Sequence, residues 1–451
     1  MHHGAVDTAL VLFTRDLRVR DNPALAGACA RARAVLPLFV VDPAIAVPQN
    51  RARFLAESVA VLREELRGLG GDLVIRRGDP VAEAVGLAAR VKAEAVFVAA
   101  DVSGYAARRT QRLARECARH RMALQVTPGH AVVPAGELRP AGGDHYRVFT
   151  PYWRAWQAAA WRQPDEAPPS VRVPAGIAPG ELPDAGKGCS PGHAPGGERA
   201  GLDRVRAWLD GPAERYHGRR DDLAADGTSR LSAYLRFGCV SPLELARSAL
   251  PLPGGAEFCR QLAWRDFFHQ VTAAFPDLAS ADYRPGAAGP RTWTADQDAL
   301  DAWREGRTGI PVVDAGMRQL AAEGFMHNRA RMITASFLTR TLGIDWRHGY
   351  RHFARLLADG DVANNAGNWQ WVAGTGNNPR PGRVLSPLRQ AARFDRDGDY
   401  VRRYVPELAS LEAPLIHTPW ELPAARRGRL GYPGPVTARR AGPGPVPETP
   451  A

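Results

Sequence analysis

The run Ala9-Leu10-Val11-Leu12-Phe13-Thr14 is almost wholly apolar and too short for a helix, and its reading decides the first part of the fold. A run of this length bounded by polar residues is a strand buried on both faces. Comparable runs return at Val35–Val41, Leu73–Arg76, Ala95–Ala99 and Leu124–Val126. Between them Arg51–Gly68, Pro80–Lys92 and Tyr105–Arg121 read as helices, two of them rich in Arg. The alternation predicts an α/β domain with a parallel, doubly wound sheet over about residues 5–130. No GxGxxG follows the first strand, which argues against a dinucleotide in the usual crevice of such a sheet.

Periodicity is lost over about residues 131–200, and Pro164–Gly197 is dense in Pro and Gly, so an interdomain linker is expected there. Its fragment Gly186-Lys187-Gly188-Cys189-Ser190 lacks the length and spacing of a phosphate-binding loop. Over about residues 201–430 apolar residues recur at helical spacing, which predicts an all-helical second domain. The Pro- and Gly-rich stretch at about 431–451 reads as a disordered tail.

A chain of 451 residues exceeds one ordinary core. Its 45% hydrophobic and 24% charged content is that of a soluble globular protein. Met1-His2-His3-Gly4 leads into the first strand without a cleavage site, and no apolar run approaches membrane-spanning length. The five cysteines form no CxxC pair, so reduced, cytoplasmic thiols are expected, with no metal site. The net charge of +12 and a pI near 10.0 favour a polyanionic partner, most simply nucleic acid. Coding bias accounts for Arg over Lys, since only Lys92 and Lys187 are lysines, but not for the excess of positive charge.

In the second half, Asp359-Gly360-Asp361-Val362-Ala363-Asn364-Asn365-Ala366-Gly367-Asn368-Trp369-Gln370-Trp371 combines carboxylates, amides and Trp. These polar groups are costly to bury without partners. On a helix Asn365 and Trp369 share a face, placing an amide one turn from an oxidisable indole, as a bound redox ring would require. An ordinary helix with its amides at a loop remains the alternative. In Gln261-Leu262-Ala263-Trp264-Arg265-Asp266-Phe267-Phe268, a helix puts Gln261, Trp264, Arg265 and Phe268 together, which suits a nucleobase pocket or a buried aromatic stripe. Thr228, Ser229, Arg230 and Ser232 stand where a helix should begin, as a plain N-cap or an anion site. Asn328, Arg331 and Met332 share a helical side with Arg329 turned elsewhere, and a buried Arg here would need Asp359 or Asp361.

Together these motifs resemble those of the DNA photolyase and cryptochrome family, nearest its class I cyclobutane pyrimidine dimer photolyases. The resemblance is carried by Phe13-Thr14-Arg15-Asp16-Leu17-Arg18 with Asp21-Asn22-Pro23-Ala24-Leu25, by Gly227–Ser232, and by Trp264–Phe268. Thr308–Pro311 with Asp314–Leu320, His327–Leu338 and Asp359–Trp371 follow in the family's order. It implies FAD in the helical domain, with Tyr216, Thr228, Ser229, Arg230, Leu231 and Ser232 at the phosphates. Arg265, Asn328, Arg331, Asp359, Gly360 and Asp361 would surround the ribityl chain and ring, with Asn365 at flavin N5. Trp369, Trp346 and Trp293 match the family's electron relay. Trp264 would stack on a flipped-out dimer and Met332 pack against it, while Arg220, Arg329, Arg383 and Gln390 match positions beside the DNA or dimer.

The family implies light-driven repair of UV-damaged DNA by a monomer, in the cytoplasm and associated with the nucleoid through DNA. One departure is Gln261, where dimer-type members commonly carry Glu and (6-4) photolyases tend to carry Gln. Asn328 and Met332 replace the paired-His pocket of that second branch. A cryptochrome-type light sensor is the further alternative, against which the short tail after about residue 430 argues, since signalling members usually carry a long extension. Arg51 and Asp101 fit an 8-hydroxy-5-deazaflavin antenna better than a folate.

Overall fold

The computed structural model describes residues 6–286 and 292–436. Five strands, β1 (Val6–Phe13), β2 (Ala32–Val41), β3 (Val74–Arg77), β4 (Ala95–Ala99) and β5 (Ala123–Thr127), form one parallel sheet in the order β3-β2-β1-β4-β5. The intervening helices are α1 (Pro23–Arg31), α2 (Gln49–Gly68), α3 (Pro80–Arg90) and α4 (Gly104–Arg119). Residues 9–13 and all of β4 are buried, as befits central strands covered on both sides. Edge strand β5 is more open, with Val126 48% exposed. The expected parallel, doubly wound α/β domain is therefore present, and each expected strand lies within three residues of its observed bounds.

The rest is helical: α5 (Phe149–Ala158), α6 (Glu198–Leu209), α7 (Tyr216–Arg219), α8 (Ser232–Phe237), α9 (Pro242–Ala249) and α10 (Gly255–Ala274). Then come α11 (Gln297–Arg304), α12 (Pro311–Glu323), α13 (Asn328–Ser336), α14 (Trp346–Leu356), α15 (Val362–Ala373), α16 (Pro387–Phe394), α17 (Asp399–Tyr404) and α18 (Ala424–Leu430). Several helices start on one local device, a capping side chain followed by Pro: Asn22-Pro23, Asp79-Pro80, Ser241-Pro242 and Ser386-Pro387. The cap satisfies free N–H groups, and Pro loses nothing by lacking one at that position.

Two compact units result: residues 1–220, 227–281 and 354–367, and residues 221–226, 282–353 and 368–451. This differs from the expected boundaries, because α6 to α10 belong with the sheet. The expected linker also differs. Its Pro- and Gly-rich stretch is bonded to the first unit: Val35 N–H donates to the Arg172 carbonyl (2.7 Å), Val171 N–H to Leu69 (2.8 Å) and Ile75 N–H to Pro179 (2.7 Å). Backbone pairing needs no apolar periodicity, so composition alone could not reveal it.

The first motif of the chain is a structural tie. Buried Arg18 donates to the carbonyls of Asp21 (2.6 Å), Gly238 (2.9 Å) and Gly129 (3.1 Å), joining the end of β1 to two distant turns. Gly238 sits at φ +68°, and a Cβ there would strike the Arg15 carbonyl.

In the second unit Asp314, fully buried in α12, accepts from Thr308 N–H (2.7 Å), Thr308 Oγ1 (2.7 Å), Gly309 N–H (3.0 Å) and the Tyr432 hydroxyl. Val436 N–H also reaches the Thr308 carbonyl at 2.8 Å. Residues 432–436 are thus held at the start of the expected disordered tail, while 437–451 lie outside the described residues. Tyr432→Phe should lower stability by about 1 kcal/mol and Asp314→Ala by about 3 kcal/mol, because the second strands two buried N–H groups. Thermal unfolding of the two variants checks the ordering; equal losses would remove Asp314 as the organising group.

Candidate functional site

The first unit concentrates charge in its interior. Arg15, just beyond β1, donates to both oxygens of Asp101 (3.2 and 3.3 Å), to Asp361 and to the Arg236 carbonyl (3.0 Å). Asp361 caps α15, accepting from Asn364 N–H (2.9 Å) and Asn364 Nδ2 (2.8 Å), and lies 3.7 Å from His269 Nε2. Burial pushes the Asp361 carboxyl up, but the charge of Arg15 and the nearby His269 outweigh it and hold it well below the carboxylate range. Asp101 is also held low, its burial outweighed by Arg15 and other nearby charge. The cation on Asp361 within this unit is Arg15, which sequence reasoning quoted only as part of a motif.

Arg265 of α10 is 9% exposed and donates to the carbonyls of His130 and Leu235, the latter at 3.2 Å. Burial lowers its affinity for the proton. Its neighbour Asp266 takes N–H bonds from Val132 (3.0 Å), Val133 (3.1 Å) and Trp156 Nε1 (3.0 Å), so this carboxylate ties the chain after β5 and α5 to α10. His130 is buried with neither ring nitrogen hydrogen-bonded, and burial keeps it neutral. Neither His130 nor the aromatic partners described next had a signal in the sequence.

The loop before α8 has a non-glycine backbone at positive φ, at Asp226 (45°) and Arg230 (52°). Such conformations are held only where surrounding structure demands them. Arg204 binds the carbonyls of Ser229 (2.7 Å) and Thr228 (3.2 Å), whereas Thr228 Oγ1 is buried with no hydrogen-bond partner. Ser229 Oγ accepts from Leu231 N–H at 3.4 Å, and Leu231 and Ser232 lead into α8. Tyr216 is buried edge-on between Trp208 (5.6 Å) and Phe258 (5.7 Å). An unbonded hydroxyl beside a strained loop suits an anionic ligand such as a phosphate, while α8 itself is short.

Trp264 is half-buried and stacked on Phe149 with centroids 3.7 Å apart and planes 6° from parallel. Arg260 lies 5.5 Å from the centre of the Phe149 ring. Gln261 is half-buried one turn before Trp264. Asn365 lies in α15, its N–H on the Asp361 carbonyl at 2.9 Å, and Asp359 and Gly360 precede the Asp361 cap. Arg51 of α2 reaches the Leu357 carbonyl at 3.3 Å, and its guanidinium leaves no room for a Cβ at Gly360. Arg220 caps α7 with its N–H on the Tyr216 carbonyl at 2.9 Å.

In the second unit Asn328 opens α13. His327 caps that helix, its Nδ1 accepting from Arg329 N–H at 3.1 Å. Arg331 Nε donates to the Met326 carbonyl (2.8 Å). Met332 Sδ stands 3.9 Å from Arg329 Nη1. Gln390 of α16 has a buried Oε1 without a hydrogen-bond partner, whereas Arg383 is exposed. Trp369 is buried edge-on against Phe353 (5.0 Å) and Trp303 (6.0 Å). Trp346 is fully buried and donates from Nε1 to Asp282 at 2.9 Å; Trp293 is half-buried.

The comparisons with known proteins agree with this chemistry. Residues 9–171 match the family model described as DNA photolyase, and residues 258–442 the one described as the FAD binding domain of DNA photolyase. The chain is 51% identical over 443 residues to a deoxyribodipyrimidine photo-lyase of Streptomyces griseus, covering 96% of each. Among solved structures it is similar to a bacterial class III photolyase from Agrobacterium tumefaciens, with TM-score 0.90, 32% identity, and 96% of this chain and 94% of that one covered. It is also similar to a Synechocystis cryptochrome, with TM-score 0.88, 29% identity and 97% of each chain covered. With such identity along nearly its whole length, the chain belongs to the DNA photolyase family.

Proposed function

We propose that this protein repairs cyclobutane pyrimidine dimers in UV-damaged DNA, driven by light absorbed by a bound FAD. The observation that carries the reading is the set of buried Arg265 and Asp361 with largely buried Arg15 and Asp101 around the start of α15. Desolvating such charges is costly, and a protein that merely bound DNA would not require them. When bound, reduced FAD would supply the light-driven one-electron chemistry by which the dimer is split.

The residues of the chain bind, orient and exclude water. Thr228 to Ser232 and Tyr216 are assigned to the FAD phosphates, where the unbonded Thr228 hydroxyl is a ready donor. Arg265, Asn328, Arg331, Asp359, Gly360 and Asp361 are assigned to the ribityl chain and ring, and Asn365 to N5. Asp361 stays ionised because Arg15 holds it, so a fixed negative charge is offered to ring N–H groups. Trp369, Trp346 and Trp293 are assigned to electron supply from the surface.

On the substrate side, Trp264 has one ring face covered by Phe149 and is half-buried, and its indole is assigned to stacking on a flipped base. Gln261 can donate to thymine carbonyls and Met332 can pack on the dimer. Arg220, Arg329, Arg383 and Gln390 are assigned to the backbone or dimer, contacts that position rather than select sequence. Gln261 is the one residue that favours (6-4) photoproducts instead.

A second chromophore, 8-hydroxy-5-deazaflavin in preference to a folate, is assigned to the α/β part near Arg51 and Asp101. The sheet order reverses at β1, and crevices beyond the strand ends at such points receive ligands. The Thr14 and Thr127 hydroxyls there are buried without hydrogen bonds. A monomer in the cytoplasm, drawn to the nucleoid by its positive charge, completes the proposal.

The deciding experiment gives reduced protein two oligonucleotides under blue light, one with a thymine cyclobutane dimer and one with a (6-4) photoproduct, each with a dark control. Light-dependent repair of the first alone is expected; repair of the second alone would move the protein to the other branch, and repair of neither would favour light sensing. Trp264→Ala should lower preference for dimer-containing over intact DNA roughly five- to a hundredfold, the worth of one base stacked on an aromatic ring. Unchanged preference would remove Trp264 from that role. Trp346→Phe keeps a ring in the buried site and should abolish photoreduction of FAD while leaving repair intact after chemical reduction. Normal photoreduction in that variant would overturn the relay.

A further inference from the structure

Arg329 of α13 is the most thoroughly restrained of the four residues assigned to the DNA. Its Nε and Nη2 both donate to Asp221 Oδ1, at 3.2 and 2.7 Å. Its guanidinium carbon lies 4.5 Å from the centre of the Phe394 ring, and Nη1 is 3.9 Å from Met332 Sδ. The restraint comes from the short loop 221–226, which is itself fixed. Leu223 N–H donates to the Phe394 carbonyl at 3.0 Å, and Asp222 Oδ1 accepts from Ala224 and Ala225 N–H, both at 3.1 Å. Carboxylate, ring and loop therefore form one clamp, and Arg393, 5.0 Å from the centre of the same ring, adds a second cation nearby.

This geometry is unusual for a residue whose only task is to attract phosphate. The Nε and Nη2 edge is the one that can grip a carboxylate or phosphate with two parallel bonds, and a single oxygen of Asp221 already occupies it by accepting from both nitrogens. A phosphate of intact DNA that wants this edge must displace the carboxylate first. Met332 stands beside the clamped group and is the residue assigned to pack against the dimer, so Arg329 is already oriented where a flipped lesion would arrive. The pair is also accessible: Asp221 is 36% exposed and Arg329 17%. Partly exposed pairs of this kind stabilise a fold little, so stability alone gives small reason for it.

We infer that Asp221 is a specificity-determining residue: by clamping Arg329 it reserves that guanidinium for the damaged site and withholds it from the phosphates of intact DNA. The inference rests on the dimer-repair reading and adds to it a carboxylate that sequence motifs did not single out. Asp221 acts through Arg329 and is a positioning residue, with no contact to the reacting bonds.

The test measures dark binding of two matched duplexes, one with a single thymine dimer and one intact, by fluorescence anisotropy over a range of KCl concentrations. Asp221→Asn keeps the shape of the side chain and removes its charge. The intact duplex should bind roughly two- to fivefold tighter at low salt, the worth of one exposed ion pair. Its log K against log[salt] should steepen by about 0.9, one further phosphate neutralised. The dimer duplex should gain less, because a freed Arg329 must be ordered again, so the preference for damage falls. In an Arg329→Ala background the same substitution should leave the preference unchanged. An unchanged preference in Asp221→Asn, or a fall that persists without Arg329, would overturn the inference. A wild-type protein that binds both duplexes equally would instead remove the dimer-repair reading, and the inference with it.

Discussion

A single largely buried guanidinium, that of Arg15, is the constraint on which the site depends. It joins Asp101, which follows β4, to Asp361, which caps α15, and also bonds the backbone of α8 through the Arg236 carbonyl. Burial disfavours its charge, yet the two carboxylates outweigh that and raise its proton affinity. Removing the cation would leave two carboxylates facing each other in a dry interior, a loss of about 3–5 kcal/mol for a broken buried pair. The ends of the sheet and the start of α15 are thereby held in one register, and with them every group assigned to the flavin ring in this unit.

Around that constraint, polar groups divide by what they bond. Asp266 accepts from three N–H groups and so serves the fold by anchoring α5 and the chain after β5, while burial pushes its carboxyl up. Arg18, Asp21 and Asn22 are likewise saturated by their surroundings. The Thr228 hydroxyl, Gln390 Oε1 and the two nitrogens of His130 are buried and have no hydrogen-bond partner. Native interiors rarely leave such atoms unmatched, which fits the ligand contacts proposed for Thr228 and Gln390.

Close packing of aromatics on glycine sets the second feature. A Cβ at Gly349 would overlap the Trp369 indole, and one at Gly367 would overlap Phe268. These glycines let helices α14 and α15 accept large rings at near contact. Trp369 then also meets Phe353 and Trp303, neither of which a motif had marked. An interior of this density fixes ring positions, as the electron-supply role proposed for Trp369 would require.

By itself the sequence determined the alternation of strands and helices, the parallel sheet, the helical second half and the motif set that leads to the family. Each rests on local patterns: apolar runs of strand length, helical periodicity, and caps followed by Pro. Only the tertiary structure decided which charges meet. Arg15 and Asp361 lie 346 positions apart, and no spacing rule could pair them in advance. The ordered course of the Pro- and Gly-rich stretch, the cover of Phe149 on Trp264 and the clamp of Asp221 on Arg329 belong to the same class. Backbone pairing, ring stacking and ion pairing between distant residues leave no periodic trace, because each is chosen by the fold once the local elements have docked.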